Sequence, residues 1–465
     1  MQLLDLITIF IFALGIVIMG LSFSGKGRNM KSFFAAGGAV PWAMSGLSLF
    51  MGFFSAGTFV VWGSIAYSLG WIAISIQWTM AIAGFVVGFF IAPRWHKTSA
   101  LTVAEYITRR LGVNTQKTYT YLFLFISLFT TGSFLYPVAK IVEVSTGMPL
   151  DLCILLLGGF CIVYVAAGGL WAVVSTDVLQ FIILTAAVLI VVPLSFGRVG
   201  GVVNFIESIP ATYFNLVNGE YTIGFIIAFG VYNAIFLGGN WAYVQRYASV
   251  NSQSSARKVG FLFGGLYVVS AVLWMLPPMI YRIVNPSLST IDAEGAYLMM
   301  CKEVLPAGLL GLMLSGMVFA TASSLNATLN ISSGVVTNDI FKRLFPQSSD
   351  KTLMRVARIS TIIFGLLAII VALLIPLMGG IVNVVISVAA LTGVPLYLPI
   401  IWTLFSKRQT EYSVITTTLV SLGANAFFKF ITPLWGFGFN RAEEMIVGVA
   451  FPVFCLIAFE LYYKL

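Results

Sequence analysis

Residues 41–71 read PWAMSGLSLFMGFFSAGTFVVWGSIAYSLGW, an apolar stretch long enough to cross a bilayer as a helix. Gly52 and Gly57 flank Ser55 in its middle, and Thr58 follows at once. Because glycine weakens a helix by about 1 kcal/mol relative to alanine, we expect this span to open locally and free main-chain carbonyl groups, which can bind a cation. Close packing of small residues against a neighbouring helix would explain the same pattern, so both interpretations stay open here.

Apolar runs of similar length fill the chain, which is 59% hydrophobic and only 9% charged over 465 residues. A soluble domain of that size would carry more charge, so we predict an all-α integral membrane protein with about thirteen transmembrane helices in one domain, residues 1–465. The predicted spans are 4–22, 42–68, 71–93, 119–141, 150–170, 177–197, 222–243, 258–281, 305–336, 356–377, 380–405, 411–432 and 445–463.

Basic residues fall mainly into alternate loops, among them Arg94, Arg109, Lys342 and Lys407. This asymmetry predicts an N-terminus outside and a C-terminus in the cytoplasm, and it accounts for most of the net charge of +9. The bases are scattered over many loops and form no single patch, so we expect no nucleic-acid partner. We expect a monomer in the lipid bilayer of a cell membrane, a bacterial inner membrane.

Polar side chains crowd the predicted span 305–336, where Ser323, Ser324, Asn326 and Thr328 follow one another closely. Hydroxyl and amide oxygens are neutral, hard ligands that suit a monovalent cation, whereas a divalent ion prefers several carboxylates. Hydrogen bonds to neighbouring helices are the alternative role for such residues.

Gly238, Gly239 and Asn240 interrupt span 222–243, five spans after the first interruption. An odd offset reverses the direction of the chain through the membrane. Paired broken helices of opposite orientation indicate an inverted-repeat transporter with its site at the membrane midplane. Gln77, in the middle of the third span, either binds a polar solute or links two helices.

Charged residues inside the predicted spans are few. Asp177 stands at the start of span 177–197, where it either caps the helix or acts within the membrane on an ion site or a gate. Lys140 lies three residues before Glu143, a spacing that favours a local ion pair. Contact between Lys140 and a carboxylate of the solute is the alternative.

Six motifs occur in order between residues 33 and 343: FFAAGGAVPWAMSGLSLFMG, LTVAEYITRRLG, GGLWAVVSTDVLQ, VQRYASV, SSLNATLN and TNDIFKR. Order and spacing hold over roughly residues 33–410. In these motifs the chain resembles the sodium/solute symporter family, whose members carry sugars, sialic acid, proline, pantothenate or iodide. The resemblance implies a LeuT-type fold of two inverted five-helix repeats, 42–197 and 222–405, with one extra helix before them and two after. It also implies sodium-coupled import, by alternating access, of a small polar solute: a sugar, sialic acid, amino acid or organic acid.

The same resemblance implies the binding residues. The sodium ion would be bound by main-chain oxygens of Met51, Phe54 and Ala320 and by hydroxyls of Ser323 and Ser324. The solute would be bound by residues drawn from Phe53, Ser55, Thr58, Gln77, Asn240 and Tyr243. A second sodium site in some members uses serines where this chain has Asn326 and Ala327, so we predict one sodium ion per solute.

Other classes of function fit the sequence less well. A proton-coupled carrier of the same fold needs a titratable group in the pathway, and only Asp177, Lys140 and Glu143 are candidates. A channel would show a repeated filter, and a sensor would carry a signalling domain. We expect no enzyme, because the chain has no metalloprotease, nucleophile-elbow or P-loop motif.

Overall fold

The computed structural model describes residues 2–24, 40–100, 102–165 and 170–464. Within these ranges every regular element is helical and no strand occurs, as the sequence predicts. Lipid offers no hydrogen-bond partners, so each span must satisfy its own backbone, which a helix does. The helices are α1 (Leu3–Ser24), α2 (Trp42–Met51), α3 (Thr58–Leu69), α4 (Trp71–Lys97), α5 (Val103–Leu111), α6 (Val113–Thr146), α7 (Leu150–Val165), α8 (Leu170–Arg198), α9 (Val202–Ser208), α10 (Ile223–Gly239), α11 (Trp241–Ala248), α12 (Gln253–Val284), α13 (Ala296–Val304), α14 (Leu309–Gly334), α15 (Asp350–Leu374), α16 (Ile381–Thr403), α17 (Glu411–Ala426) and α18 (Arg441–Tyr462).

Among the described residues, eight helical segments are long and apolar enough to cross a membrane, and the bent pair α10–α11 makes a ninth. The other predicted spans hold shorter apolar helices, including α2 and α3. Every predicted span therefore contains at least one helix, whereas the total of thirteen membrane crossings stays a prediction.

Helix α12 packs against α2, α3 and α4. Its closest approach is to α4, where a Cβ atom added to Gly260 would lie 2.6 Å from the Cα atom of Gly88. Glycine at such contacts lets two helix backbones approach closely, which compensates for the absence of a hydrophobic driving force within lipid. On the other side of the molecule, α14 packs against α1, α6 and α8.

Two spans are interrupted, and these interruptions position the candidate site. Helix α2 ends at Met51, and helical structure resumes at Ala56. Helix α10 ends at Gly239 and α11 begins at Trp241, with a bend of 59° between them. Both breaks lie where glycine and polar residues interrupt the apolar sequence, so the expectation of locally opened helices is confirmed. The limits of the two repeats, 42–197 and 222–405, stay a prediction.

Candidate functional site

The first break is a short loop closed by Thr58. Its hydroxyl donates a hydrogen bond to the carbonyl oxygen of Phe53, and its N–H donates to that of Ser55 at 3.0 Å. The residues from Gly52 to Ser55 lie outside any helix, although they are buried or half-buried. Carbonyl oxygens freed from a helix in this way are neutral ligands that suit a cation.

Helix α14 lies directly against this loop. The N–H of Ala56 donates to Oγ1 of Thr321 at 3.0 Å, and both residues are buried. Ala320, one residue earlier, is also buried, and its carbonyl oxygen lies 3.4 Å from the donating hydroxyl of Ser324. Thr321 therefore fixes the distance between the first break and the helix that carries the predicted sodium ligands.

The predicted sodium ligands are gathered only in part. Met51 and Ser324 line a common cavity of about 60 Å³, the smaller cavity, whereas Phe54 and Ala320 are buried outside its lining. The side chain of Ser323 lies outside the described part of the structure.

The second break is stabilised by Asn240. Its side-chain oxygen accepts a hydrogen bond from the N–H of Ala242 at 3.0 Å, which caps α11, and its amide nitrogen lies 3.4 Å from the hydroxyl of Tyr397. Asn240 lines the smaller cavity, and it does not line the larger cavity. Tyr243, one turn farther along α11, lines both cavities.

A larger cavity, of about 170 Å³, lies between the two breaks. The predicted solute residues that line it are Phe53, Ser55, Thr58, Gln77 and Tyr243. Gln77 is 2% exposed, and its amide has no hydrogen-bond partner among the described residues. The amide is not among the buried polar atoms left without a partner in the described residues, so it is accessible from the cavity. A polar group of a solute can therefore bind it there.

Other polar and aromatic side chains of this wall were missed by the sequence analysis. They are Trp62, Thr130, Ser133, Phe134, Phe229, Tyr232, Asn233, Phe236, Tyr267, Thr392 and Tyr397. They come from helices distant in sequence, and no local pattern distinguishes them from other polar residues in spans.

Aromatic rings stand between the two cavities. The Phe53 ring lies 5.0 Å from the Tyr243 ring, and the Phe236 ring lies 5.5 Å from it, measured between centroids. Phe236 and Tyr243 line both cavities, whereas Phe53 lines only the larger one. Phe236 and Tyr243 therefore form part of the boundary between the two cavities.

The larger cavity is uncharged. Its described lining includes no Asp, Glu, Lys, Arg or His side chain. Lys140 pairs with Glu143 at 2.8 Å, and neither residue lines either cavity. The predicted local ion pair is therefore confirmed, and Lys140 is not placed to contact a solute here.

Asp177 lies within α8 and does not cap it, because the helix already begins at Leu170. The capping interpretation is therefore wrong. The hydroxyl of Ser48 donates to Oδ2 of Asp177 at 2.6 Å and accepts from Nε of Arg246 at 3.0 Å. The hydroxyl of Ser45 donates to the Arg246 carbonyl at 2.8 Å. This group, the Asp177–Ser48–Arg246 network, ties α2, α8 and α11 together beside the smaller cavity.

A second buried carboxylate, Glu294, lies in the connection between α12 and α13. It accepts hydrogen bonds from the N–H of Ile381, at the start of α16, at 3.0 Å and from the hydroxyl of Tyr136 at 2.8 Å. Burial raises the pKa of the Glu294 carboxyl above its ordinary value of 4.5, although these two hydrogen bonds and Lys140 oppose the rise. Glu294 thus joins α6 and α16 away from both cavities.

Comparison with known proteins agrees with this geometry. The model of the sodium:solute symporter family matches residues 33–420. A sodium/glucose cotransporter of Vibrio parahaemolyticus is 28% identical, covering 92% of this chain and 86% of that protein. A sodium/myo-inositol cotransporter 2 of Sus scrofa is 27% identical, covering 90% of this chain and 68% of that protein.

Solved structures show the same fold. A Na⁺-coupled sialic acid symporter, in a substrate-bound outward-open state, superposes with a TM-score of 0.83 at 21% identity, covering 99% of this chain and 98% of that one. Mhp1, a nucleobase-cation-symport-1 family transporter, superposes with a TM-score of 0.61 at 14% identity, covering 94% and 96%. The LeuT-type fold expected from the sequence is thus confirmed.

Proposed function

Because this chain belongs to the sodium:solute symporter family, we propose that its larger cavity carries a small, uncharged, polyhydroxylated solute. Coupled transport of sodium and a solute is the activity of the family, and sodium is the coupling ion. The chain is therefore a transporter and not an enzyme, a channel or a proton-coupled carrier.

The observation that carries the proposal is the unpartnered amide of Gln77 in an uncharged wall. An ionised carboxylate buried there would have no counter-charge, and burying an unpaired charge costs several kcal/mol or more. Neutral hydroxyl groups, in contrast, can exchange hydrogen bonds with the Gln77 amide and the Ser55 hydroxyl, and a sugar ring can pack on Phe53. Glucose and myo-inositol, the solutes in the names of two relatives, are uncharged polyols. Sialic acid, amino acids and organic acids fit this wall less well.

We place the sodium ion between the first break and α14. Carbonyl oxygens of Met51, Phe54 and Ala320 with the hydroxyls of Ser323 and Ser324 would give it a neutral ligand set. The contact between Ala56 and Thr321 supports this placement, because it brings the loop and α14 within hydrogen-bonding distance. We propose one sodium ion per solute, since Asn326 and Ala327 stand where a second site would need serines.

Sodium can drive accumulation only by favouring one state of the carrier over another. Bound between the loop and α14, it would hold the first break in the form that receives the solute. The membrane potential adds about 2.3 kcal/mol per charge at 100 mV, enough to concentrate a neutral solute roughly fiftyfold. The Asp177–Ser48–Arg246 network would act as a gate beside the smaller cavity, since opening a path there must separate α2, α8 and α11.

The direction of transport follows from the loop charges. We propose an external N-terminus, a cytoplasmic C-terminus and import across a cell membrane, a bacterial inner membrane, by a monomer. On this orientation the Asp177–Ser48–Arg246 network lies on the cytoplasmic side of the cavity.

A thermal-unfolding screen of the purified protein tests the solute class. D-glucose and myo-inositol are compared with D-glucuronate, N-acetylneuraminate and L-proline, each in sodium and in potassium. We expect a neutral polyol to raise Tm in sodium only, and glucuronate, which differs from glucose by a carboxylate, to have no effect. Stabilisation by glucuronate or N-acetylneuraminate but by neither polyol would contradict the proposal.

A further inference from the structure

Two adjacent residues at the end of α4 contact the chain on either side of α11, one in the last turn of α10 and one just after α11. The indole Nε1–H of Trp95 donates to the carbonyl oxygen of Gly238 at 2.7 Å, just before the second break. The imidazole Nε2 of His96 lies 3.0 Å from the carbonyl oxygen of Val250, just after α11, in position to donate to it. His96 is half-buried.

The break itself creates the need for these donors. In a continuous helix the Gly238 carbonyl would accept from the N–H of residue 242, four positions on. Here the N–H of Ala242 is used by the side chain of Asn240, so the Gly238 carbonyl would have no partner without Trp95. The preceding carbonyl, of Leu237, likewise accepts from the hydroxyl of Tyr247 at 3.2 Å. A buried carbonyl left without a donor is costly.

Trp95 has little freedom to adopt another position. It is 2% exposed, and its ring packs edge-on against Tyr106 with centroids 5.1 Å apart. The hydroxyl of Tyr106 is hydrogen-bonded to Thr403 at 2.9 Å, at the end of α16. Contacts with α5 and α16 therefore fix the position of the indole N–H, which in turn fixes the position of the Gly238 carbonyl that it binds.

We propose that Trp95 is a positioning residue that sets the angle of the second break and so places Tyr243 against the solute. The two breaks then differ in part: at the first, Thr58 occupies the carbonyls of Phe53 and Ser55, and the carbonyls of Met51 and Phe54 are the proposed cation ligands. At the second, donors of the protein occupy the carbonyls of Leu237 and Gly238. Sodium binding therefore affects the geometry of the first break, whereas hydrogen bonds within the protein set the geometry of the second. This inference rests on the proposed solute cavity.

The variant Trp95→Phe tests it, because phenylalanine keeps an aromatic ring and removes the N–H. Trp78→Phe is the matched control, since Trp78 lies on the same helix and donates to the carbonyl of Val268 at 3.1 Å, away from either break. Hydrogen–deuterium exchange is measured over residues 237–244 in sodium without solute. We expect faster exchange there in Trp95→Phe and unchanged exchange in Trp78→Phe.

Transport kinetics give the second readout, with the neutral polyol that stabilises the wild-type protein. We expect KM for that solute to rise at least about fivefold in Trp95→Phe, with the sodium-induced rise in Tm without solute unchanged. Tyr247→Phe should shift exchange over the same segment in the same direction, which covers the case that Trp95→Phe folds poorly.

Unchanged exchange over residues 237–244 in both Trp95→Phe and Tyr247→Phe would overturn the inference. So would loss of the sodium-induced rise in Tm together with the solute response, because that would show a general loss of structure. A wild-type protein that responds to sodium but to no neutral polyol would refute the proposed solute, while the exchange result would still decide the role of Trp95.

Discussion

Replacing Gln77 by leucine should weaken solute binding without weakening the fold. The amide lines the larger cavity and has no hydrogen-bond partner among the described residues, so leucine removes no hydrogen bond within the protein and keeps the side-chain volume nearly constant. Tm should therefore stay about the same. A solute hydroxyl that loses its partner in a buried site loses about 1–3 kcal/mol, which predicts a KM roughly 5- to 150-fold higher.

Gln116→Leu is the matched control for this variant. Gln116 is also a buried glutamine in a span, but its amide donates to Thr120 at 2.9 Å and it lines neither cavity. Losing that hydrogen bond should cost about 1 kcal/mol of stability and leave KM unchanged. Sodium-driven uptake of a neutral polyol into proteoliposomes gives KM, and thermal unfolding in detergent gives Tm. If Gln77→Leu lowers Tm and leaves KM unchanged, Gln77 is a structural residue and the assignment of the cavity is wrong.

Ser324→Ala should raise the sodium concentration for half-maximal uptake at least about fivefold. Ser315→Ala should not change it, because Ser315 is a buried serine of the same helix whose hydroxyl donates to the carbonyl oxygen of Gly311. Asp177→Asn should lower the maximal rate and leave half-saturation by sodium unchanged if the residue acts in a gate; a rise in half-saturation would assign it to ion binding instead. Because burial raises the pKa of Glu294, the folded state favours its protonated form, so stability should fall as pH rises above the ordinary value of 4.5. Thermal unfolding of Glu294→Gln should lack that decrease, and parallel pH profiles for the two proteins would refute the effect.

The sequence predicts most of the fold because its information is local. Apolar length locates the spans, and glycines beside a mid-span polar residue locate both breaks, at Gly52 and Asn240. The sequence places the start of α8 too late for a local reason as well: the helix begins at Leu170, in apolar sequence, and Asp177 lies inside it and forms no boundary.

The contacts that shape the site depend on residues far apart in the chain. Thr321 meets Ala56 across 265 positions, and Trp95 meets Gly238 across 143. A single sequence contains no record of such pairs, so neither contact could be predicted. The ion pair of Lys140, in contrast, could be predicted from the sequence, because its partner Glu143 lies within one helical turn.

A cryo-EM map of the protein prepared in sodium tests the central claim most directly. We predict density for a single ion in contact with the carbonyl oxygens of Met51, Phe54 and Ala320 and with the hydroxyl of Ser324, absent from a map prepared in potassium. Ion density at the Asp177 carboxylate instead, or identical maps in the two salts, would contradict the account.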